Sequence, residues 1–393
     1  MRRSLVTAVL LPLFAAALLA VASFVQASAG PVGGGTPHVI GHPGPPTLVA
    51  APSGLVVVID TAELKDPSWL KALNNPSISG VALQIHWSDI EATQGKPDWS
   101  NLDALFAAAA ASKKWVHLLI FPGFFAPTWA LAGAKTEPFA IQYGPGKGTV
   151  LPLPMPWDPT YLANWLAFVK QVGDRYGSSP ALRLVAADGP TSVSAEFTLP
   201  NSPKDLKTWG NDGYTPSKYI GAWQNIFKAY AADFPSQYIS LSEGSGLNIN
   251  DQSKVDAGEG LRTKQAIVDS ANDLLGRRFA LQSSNVHAGP GPHSPNSEKE
   301  DQFVIGYSGR IITGLQLRTS AENSSAVMGA KGNPPLALSK SINLAMETNK
   351  AGQHVNYLEI YEPDVLADEM QSVLRDAASL FTKHGPFVPR VLH

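Results

Sequence analysis

The sequence predicts a single (β/α)8 barrel over residues 54–393. Eight short runs rich in β-branched and aliphatic residues recur along that stretch, and helical segments separate them. No G-x-G-x-x-G loop follows an early run, as an open dinucleotide-type sheet would require, so a doubly wound sheet is the weaker alternative.

The runs are GLVVVID (54–60), SGVALQIHW (79–87), WVHLLIF (115–121), ALRLVAA (181–187), YISLSE (238–243), RFALQSS (278–284), TGLQLRT (313–319) and VNYLEIY (355–361). Helices are expected over 159–177, 216–234, 263–276 and 334–352, the last two stopping at glycine, and 364–385 supplies a closing helix. A barrel of this kind takes about 250 residues or more, which the chain can supply.

Upstream, residues 1–29 read as a secretory signal: two arginines, an apolar run from Leu5 to Val25, and Ala27-Ser28-Ala29 as the cleavage site. The protein is then secreted or periplasmic, with no stable membrane insertion after cleavage. The alternative is an uncleaved membrane anchor, because the run is long enough to span a bilayer. Residues 30–53 are dense in Gly and Pro and read as a tether. His38 and His42 lie there, and a metal role for them is the weaker reading.

Composition narrows the chemistry. Hydrophobic residues make up 44% and charged residues 16%, which argues for a compact core and against disorder. The net charge is -2 and the basic residues are scattered, so nucleic acid is not an expected partner. With no cysteine, disulfides, thiolate metal sites and Cys nucleophiles are excluded, and catalysis must use oxygen or nitrogen groups. No cofactor is expected.

Active sites of such barrels gather at the C-terminal ends of the strands. Those ends carry Asp60; His86, Trp87 and Asp89; Phe121, Phe124, Phe125 and Trp129; Asp188 and Glu196; Glu243; Asn285 and His287; Gln316 and Arg318, with Glu322 beyond; and Glu359, Tyr361 and Glu362. Carboxylates, amides and aromatic rings around one rim suit a carbohydrate, whose apolar faces stack on rings and whose hydroxyls take hydrogen bonds. The expected sugar-binding set is Asp60, His86, Trp87, Phe125, Trp129, Asp188, Glu243, Asn285, Gln316 and Tyr361. The competing reading is that these aromatics only pack the core.

The segment GVALQIHWSDIEATQGKPDWSNLDALFAAAAASKKWVHLLIF resembles the second and third βα units of (β/α)8 glycoside hydrolases, with W-x-x-I-E-x-x-x-G after a strand and D-W opening a helix. WDPTYLANWLAFVKQVGDRYGSSPAL is similar to the helix before strand 4 in the same enzymes. The resemblance covers roughly residues 78–200 and implies that Glu91 ties the loop after strand 2 together, while Asp98 and Trp99 open a helix.

Glycoside hydrolysis typically uses two carboxyl groups. In retaining glycosidases of this fold the acid/base follows strand 4 in an Asn-Glu pair and the nucleophile ends strand 7; here no Asn-Glu pair occurs and TGLQLRT has no acid. The strand 4 region instead reads G-P-x-x-x-x-A-E-x-x-L-P, similar to the G-x-x-G-E-L-R-Y-P segment of β-amylases, which implies Glu196 as general acid. Beside an apolar wall such as Phe197, its pKa would rise and keep it protonated.

Glu359 is the expected nucleophile or base, since an acid inside a barrel strand is costly unless it faces a polar cavity. Strand parity puts Tyr357, Glu359 and Tyr361 on one face. The alternative for Glu359 is a buried salt bridge to Arg183 or Arg318, with Glu243 or Glu322 as the replacement carboxylate. A separation of about 5 Å or about 9 Å between the two acids would distinguish retention from inversion.

Two other chemistries are weaker. His86, His117 and His287 could converge with Asp60 on a metal, but no H-x-H or H-E-x-x-H spacing supports it. GYSGR (306–310) lacks the G-x-S-x-G spacing of a serine hydrolase and reads as a polar turn. The expectation is therefore an enzyme cleaving O-glycosidic bonds of an extracellular oligo- or polysaccharide, and the rival is a carbohydrate-binding barrel without catalysis.

Overall fold

The computed structural model describes residues 47–142, 146–191, 196–289 and 294–384. The expected signal sequence and most of the Gly/Pro-rich segment, with His38 and His42, lie outside the described residues. From Pro46 onward the chain forms one compact unit.

Ten strands form among the described residues: β1 (Gly54–Asp60), β2 (Ile78–His86), β3 (Trp115–Phe121), β4 (Thr136–Ala140), β5 (Val150–Pro154), β6 (Leu182–Ala186), β7 (Tyr238–Ser242), β8 (Phe279–Val286), β9 (Ile312–Leu317) and β10 (Tyr357–Tyr361). Eight of them, all but β4 and β5, close a barrel in chain order, and β10 pairs back onto β1. Every barrel pairing is parallel, so each successive strand arrives through a crossover connection. The fold is thus the (β/α)8 barrel that the eight apolar runs predict.

The helices are α1 (Ser68–Leu73), α2 (Trp87–Ile90), α3 (Ser100–Ala111), α4 (Pro159–Tyr176), α5 (Pro203–Asn211), α6 (Pro216–Asp233), α7 (Glu259–Leu275), α8 (Ser294–Ile305), α9 (Ala321–Ser324), α10 (Pro334–Ala345), α11 (Glu362–Leu366) and α12 (Gln371–His384). Four of them start on a capping side chain followed by proline: Asp158 for α4, Ser202 for α5, Thr215 for α6 and Asn333 for α10.

Three expected helices differ. The α7 helix begins at Glu259, four residues earlier than 263, after a turn in which Asp256 accepts from the Gly258 N–H. The α10 helix stops at Ala345 rather than Gly352, and the Asn349 side chain then accepts from the N–H groups of Ala351 and Gln353 to fold a turn. The closing helix is split into α11 and α12, because Ala367 between them is extended. The split lets buried Asp364 in α11 accept from Ser320 Oγ and from the N–H groups of Ala321 and Glu322, which pins α11 to the loop after β9.

The antiparallel ribbon β4–β5 has no counterpart in the sequence reading. Pro138, Pro152 and Pro154 argue against strands, yet a two-stranded ribbon leaves each strand an outer edge where a missing N–H is tolerated.

Strand parity divides the core in two. Val57, Ile59, Leu83, Ile85 and Leu118 face outward against the helices, while Val56, Val58, Ala82, Trp115 and Tyr357 face the barrel axis. Glycine is required at 314, where an added Cβ would lie 2.0 Å from the Tyr357 ring. Residues 47–53, the end of the segment read as tether, bind the bottom of the barrel: Leu48, Val49 and Ala51 pack on the interior cluster, and Trp115 Nε1 donates to Ser53 O.

Above that apolar floor a polar line crosses the interior. Tyr357 Oη donates to Gln282 Oε1 at 2.7 Å, and Gln282 Nε2 donates to Glu359 Oε2 at 2.9 Å. Glu359 Oε1 lies 2.6 Å from His117 Nδ1, whose Nε2 lies 2.9 Å from Ser240 Oγ. Five buried side chains from β3, β7, β8 and β10 thereby satisfy one another.

Removing the central carboxylate leaves His117 and Gln282 buried without their partner. Glu359→Ala is expected to lower unfolding free energy by about 3–5 kcal/mol. Urea denaturation monitored by tryptophan fluorescence measures it, and a loss under about 1 kcal/mol, the range of an exposed pair, would show that the bond carries little.

Candidate functional site

The mouth is formed by the residues that follow the polar line along each strand. At the end of β1, Asp60 and Glu63 hold each other reciprocally: Asp60 Oδ1 accepts from the N–H groups of Ala62 and Glu63, and Glu63 Oε2 accepts from the Asp60 N–H at 2.8 Å. At the end of β2, half-buried His86 stacks on Phe125 with ring centroids 3.7 Å apart and planes 8° from parallel. Its Nδ1 lies 3.4 Å from Asp89 Oδ2, and burial lowers its pKa against the pull of Asp89 and Asp60.

Trp87 and Trp129 are elsewhere. Trp87 is fully buried among Trp129, Tyr161, Trp165 and Phe168, between the barrel and its helices. Its Nε1 donates to Glu91 Oε2, Glu91 Oε1 accepts from the Gly95 N–H, and Trp129 Nε1 donates to Glu91 O. Glu91 thus ties the β2 loop, and the two tryptophans form its packing; neither ring faces the mouth.

Beyond β6 the chain turns through Asp188 to Glu196, which forms a parallel bridge with Ser242 at the end of β7. The segment after Glu196 is firmly seated: Phe197 is fully buried against Trp223, Tyr219 Oη donates to Phe197 O, and Thr198 Oγ1 accepts from the Ser245 N–H. Burial pushes the Glu196 carboxyl up to about 7, helped by the Glu300 carboxylate and opposed by hydrogen bonds from backbone and from Ser284. Asp188 is buried with no side-chain partner for its carboxyl, and burial raises its pKa well above the usual range, with Glu196 adding to the rise.

Glu243 belongs to a separate cluster. It is buried in an ion pair with Lys264 of α7, whose ammonium also lies 4.3 Å from the Phe303 ring centroid. Burial nevertheless lifts Glu243 to about 8, with Glu300 and Asp301 contributing. Asp301 accepts from Ser283 Oγ, so this cluster fastens α7 and α8 to β7 and β8.

At the ends of β8 and β9, His287 Nδ1 lies 2.9 Å from Asn285 O and its Nε2 lies 3.4 Å from Arg318 Nη1. Gln316 faces inward with its Nε2 buried and unpaired. From β10, Tyr361 borders the interior cluster, and its phenol feels the carboxylates of Glu196, Glu359 and Glu63.

The mouth therefore gathers Asp60, Glu63, His86, Phe125, Asp188, Glu196, Gln316, Arg318 and Tyr361 around its opening. Glu359 lies in the core, fully buried with both oxygens bonded, and its ionic partner is His117 rather than Arg183 or Arg318. Arg183 instead donates to Ala51 O at the bottom of the barrel. His86, His117 and His287 each have different neighbours, and no group of three or more metal-ligating side chains occurs among the described residues. Ser308 of the GYSGR turn bonds Thr313 Oγ1 in the core.

Sequence reasoning missed Glu63, Ser284, Glu300 and Lys264. The spacing D-T-A-E over 60–63 was a usable signal for Glu63, since it is the pattern of a reciprocal cap. The other three act across helices and strands remote in sequence and leave no local mark.

No family model matches the sequence. No curated protein matches it either. Among solved structures, the chain is similar to the catalytic domain of β-amylase from Paenibacillus polymyxa, with a TM-score of 0.52 and 11% identity over 86% of this chain and 100% of that one. It is also similar to an exo-β-1,4-mannosidase from an Opitutaceae bacterium, with a TM-score of 0.48 and 11% identity over 84% of this chain and 60% of that one. At such identity the β-amylase likeness shows the shared barrel fold and nothing finer.

Glu63, Glu196 and Glu243 all bind their protons at higher pH in the folded chain than in the unfolded one. Folding then takes up protons between about pH 4.5 and about pH 8, and these groups weaken stability as pH rises through that window. His86, with its lowered pKa, acts in the opposite sense, so the effect of one acid is best read as a difference. Glu196→Gln is expected to gain stability relative to the parent between pH 5 and pH 8 in urea titrations. A constant difference across that range would show that Glu196 titrates normally.

Proposed function

We propose that the protein is a glycoside-hydrolase-like barrel that binds a carbohydrate at the mouth and cleaves an O-glycosidic bond, with Glu196 as proton donor. The observation that carries this reading is the setting of Glu196: a carboxyl after the fourth barrel strand, bridged to the end of β7 and lifted by burial to about 7. A general acid must hold its proton near the working pH and release it as charge develops on the leaving oxygen, and a dry wall supports both.

The second carboxyl is assigned to Glu63. Its carboxylate and that of Glu196 both act on the Tyr361 phenol, and burial also raises Glu63 to about 7. The Asp60 N–H holds one Glu63 oxygen, which orients the group. His86 stacked on Phe125, with Tyr361, offers ring surface for a sugar face. Glu359 serves as a positioning residue below the mouth, because a carboxylate bonded at both oxygens and sealed from solvent does not attack a substrate.

A second reading has its own support. Gln316 stands on the seventh barrel strand and Arg318 just beyond its end, where the resemblance to retaining glycosidases implies an acid, and that favours a sugar-binding barrel without hydrolysis.

A panel of aryl glycosides and polysaccharides separates the two. Hydrolysis is expected, with kcat greatest near pH 7 and falling on both sides, above it as Glu196 loses its proton and below it as Glu63 gains one. Glu196→Gln should lower kcat by about 10²- to 10⁴-fold while sugar binding persists, and Glu63→Gln should lower it comparably. Binding without turnover by the parent protein would favour the second reading; full activity in Glu196→Gln would remove Glu196 from the chemistry.

A further inference from the structure

The mouth is electrically divided. Glu196 bridges to the end of β7 and feels the Glu300 carboxylate of α8, whereas the ends of β8 and β9 present donors. Arg318 is half-buried and forms no salt bridge among the described residues; its guanidinium lies 3.4 Å from His287 Nε2. The Asn285 carbonyl accepts from His287 Nδ1–H, so in the neutral ring Nε2 is the lone-pair side and accepts from the guanidinium. That contact orients Arg318 while using one of its five N–H groups.

Gln316 lies in β9 and Arg318 follows the strand's end by one residue, with its backbone N–H still bonded to Val286 O beside β8. Gln316 is 3% exposed, yet its Nε2 has no hydrogen-bond partner. A buried amide donor without a partner is destabilising unless something supplies an acceptor. Two residues on, the Arg318 guanidinium also has no carboxylate partner among the described residues.

We propose that Gln316 and Arg318 form a subsite for an anionic substituent on the sugar, a uronic acid carboxylate or a sulfate ester, with Arg318 as the charged fork and Gln316 as the deeper donor. The inference rests on the reading of the mouth as a carbohydrate site and names the class of sugar that it takes. Ser283 pairs in register with Leu315, which places Ser284, the hydrogen-bond donor to Glu196, one strand away from Gln316. Adjacent strands lie about 5 Å apart, close to the width of one sugar ring, so the anion would sit on a sugar next to the bond that Glu196 protonates. Glu196 and Glu300 repel an anion on their own side, and the ligand therefore enters in one orientation.

Calorimetric titration of the full chain carrying Glu196→Gln tests the subsite without turnover. The probes are glucuronate- and galacturonate-containing oligosaccharides, their neutral glucose and galactose counterparts, and the 6-sulfated counterparts. An anionic sugar is expected to bind at least about ten-fold more tightly than its neutral match, the gain of one charge-assisted contact. Tighter binding of the uronate identifies the carboxylate, and tighter binding of the sulfated sugar identifies the ester.

Arg318→Gln should bring the anionic-to-neutral ratio to within about two-fold, with Arg318→Lys in between because it keeps charge without the fork. Equal binding of neutral and anionic sugars, no binding of either, or a ratio that survives Arg318→Gln in a protein with an unchanged melting curve would overturn the proposal. Charge-selective binding by a parent that hydrolyses nothing would sink the hydrolase reading alone. Hydrolysis of neutral sugars without charge preference would sink the subsite alone.

Discussion

The bond between Glu359 and His117 is the constraint around which the barrel is organised. It crosses the interior from β10 to β3, and both residues are fully buried. A carboxylate in that position is tolerable only if every lone pair has a donor, and Gln282 supplies what His117 does not. Gln282 is oriented in turn by Tyr357, whose ring needs the space that Gly314 leaves open. His117 finds Ser240 on its other nitrogen. A shift of one residue in the register of β3 or β10 would turn His117 or Glu359 out toward the helices and leave its partners unpaired, so the polar line specifies register as well as adding contacts.

The order Ser240, His117, Glu359 repeats the connectivity of a serine hydrolase triad, and comparison with the mouth explains why it is not one here. Ser240 is fully buried in mid-strand, with Ala186 of β6 paired in register beside it. A nucleophile needs an open side for substrate and a donor set for the oxyanion, and this serine has neither exposure nor a strand-to-helix turn. The network is a girder. Above it, at the strand ends, burial raises the pKa values of Glu196 and Glu63.

Most of the barrel was legible in the sequence because each parallel strand is buried on both faces and so reads as a continuous apolar run. Parity was legible too, which is why Tyr357, Glu359 and Tyr361 face inward as expected. Partners were not. His117 and Glu359 are 242 residues apart, and no local pattern joins a histidine in one strand to an acid in another. The rim aromatics divided for a related reason. Trp87 follows His86 directly, and a single step along the chain moves the side chain from the mouth to the layer under the helices, where Trp129 meets it. Composition placed both at a strand end; only the backbone turn at the start of α2 decides which way each points.

The likeness to a β-amylase domain is one of backbone path, and the side chains show why it stops there. A barrel of eight parallel strands offers the same eight strand ends to any chemistry, and function depends on what each end carries. In this chain the end of β9 carries an amide and a guanidinium, and the end of β6 leads to a buried aspartic acid before Glu196 is reached. Burial raises the Asp188 pKa well above the usual carboxylate range, and the nearby Glu196 carboxylate adds to the rise. Charge in the opening is therefore set by which acids are dry enough to stay protonated, and that depends on the same close packing that keeps the barrel interior sealed beneath them.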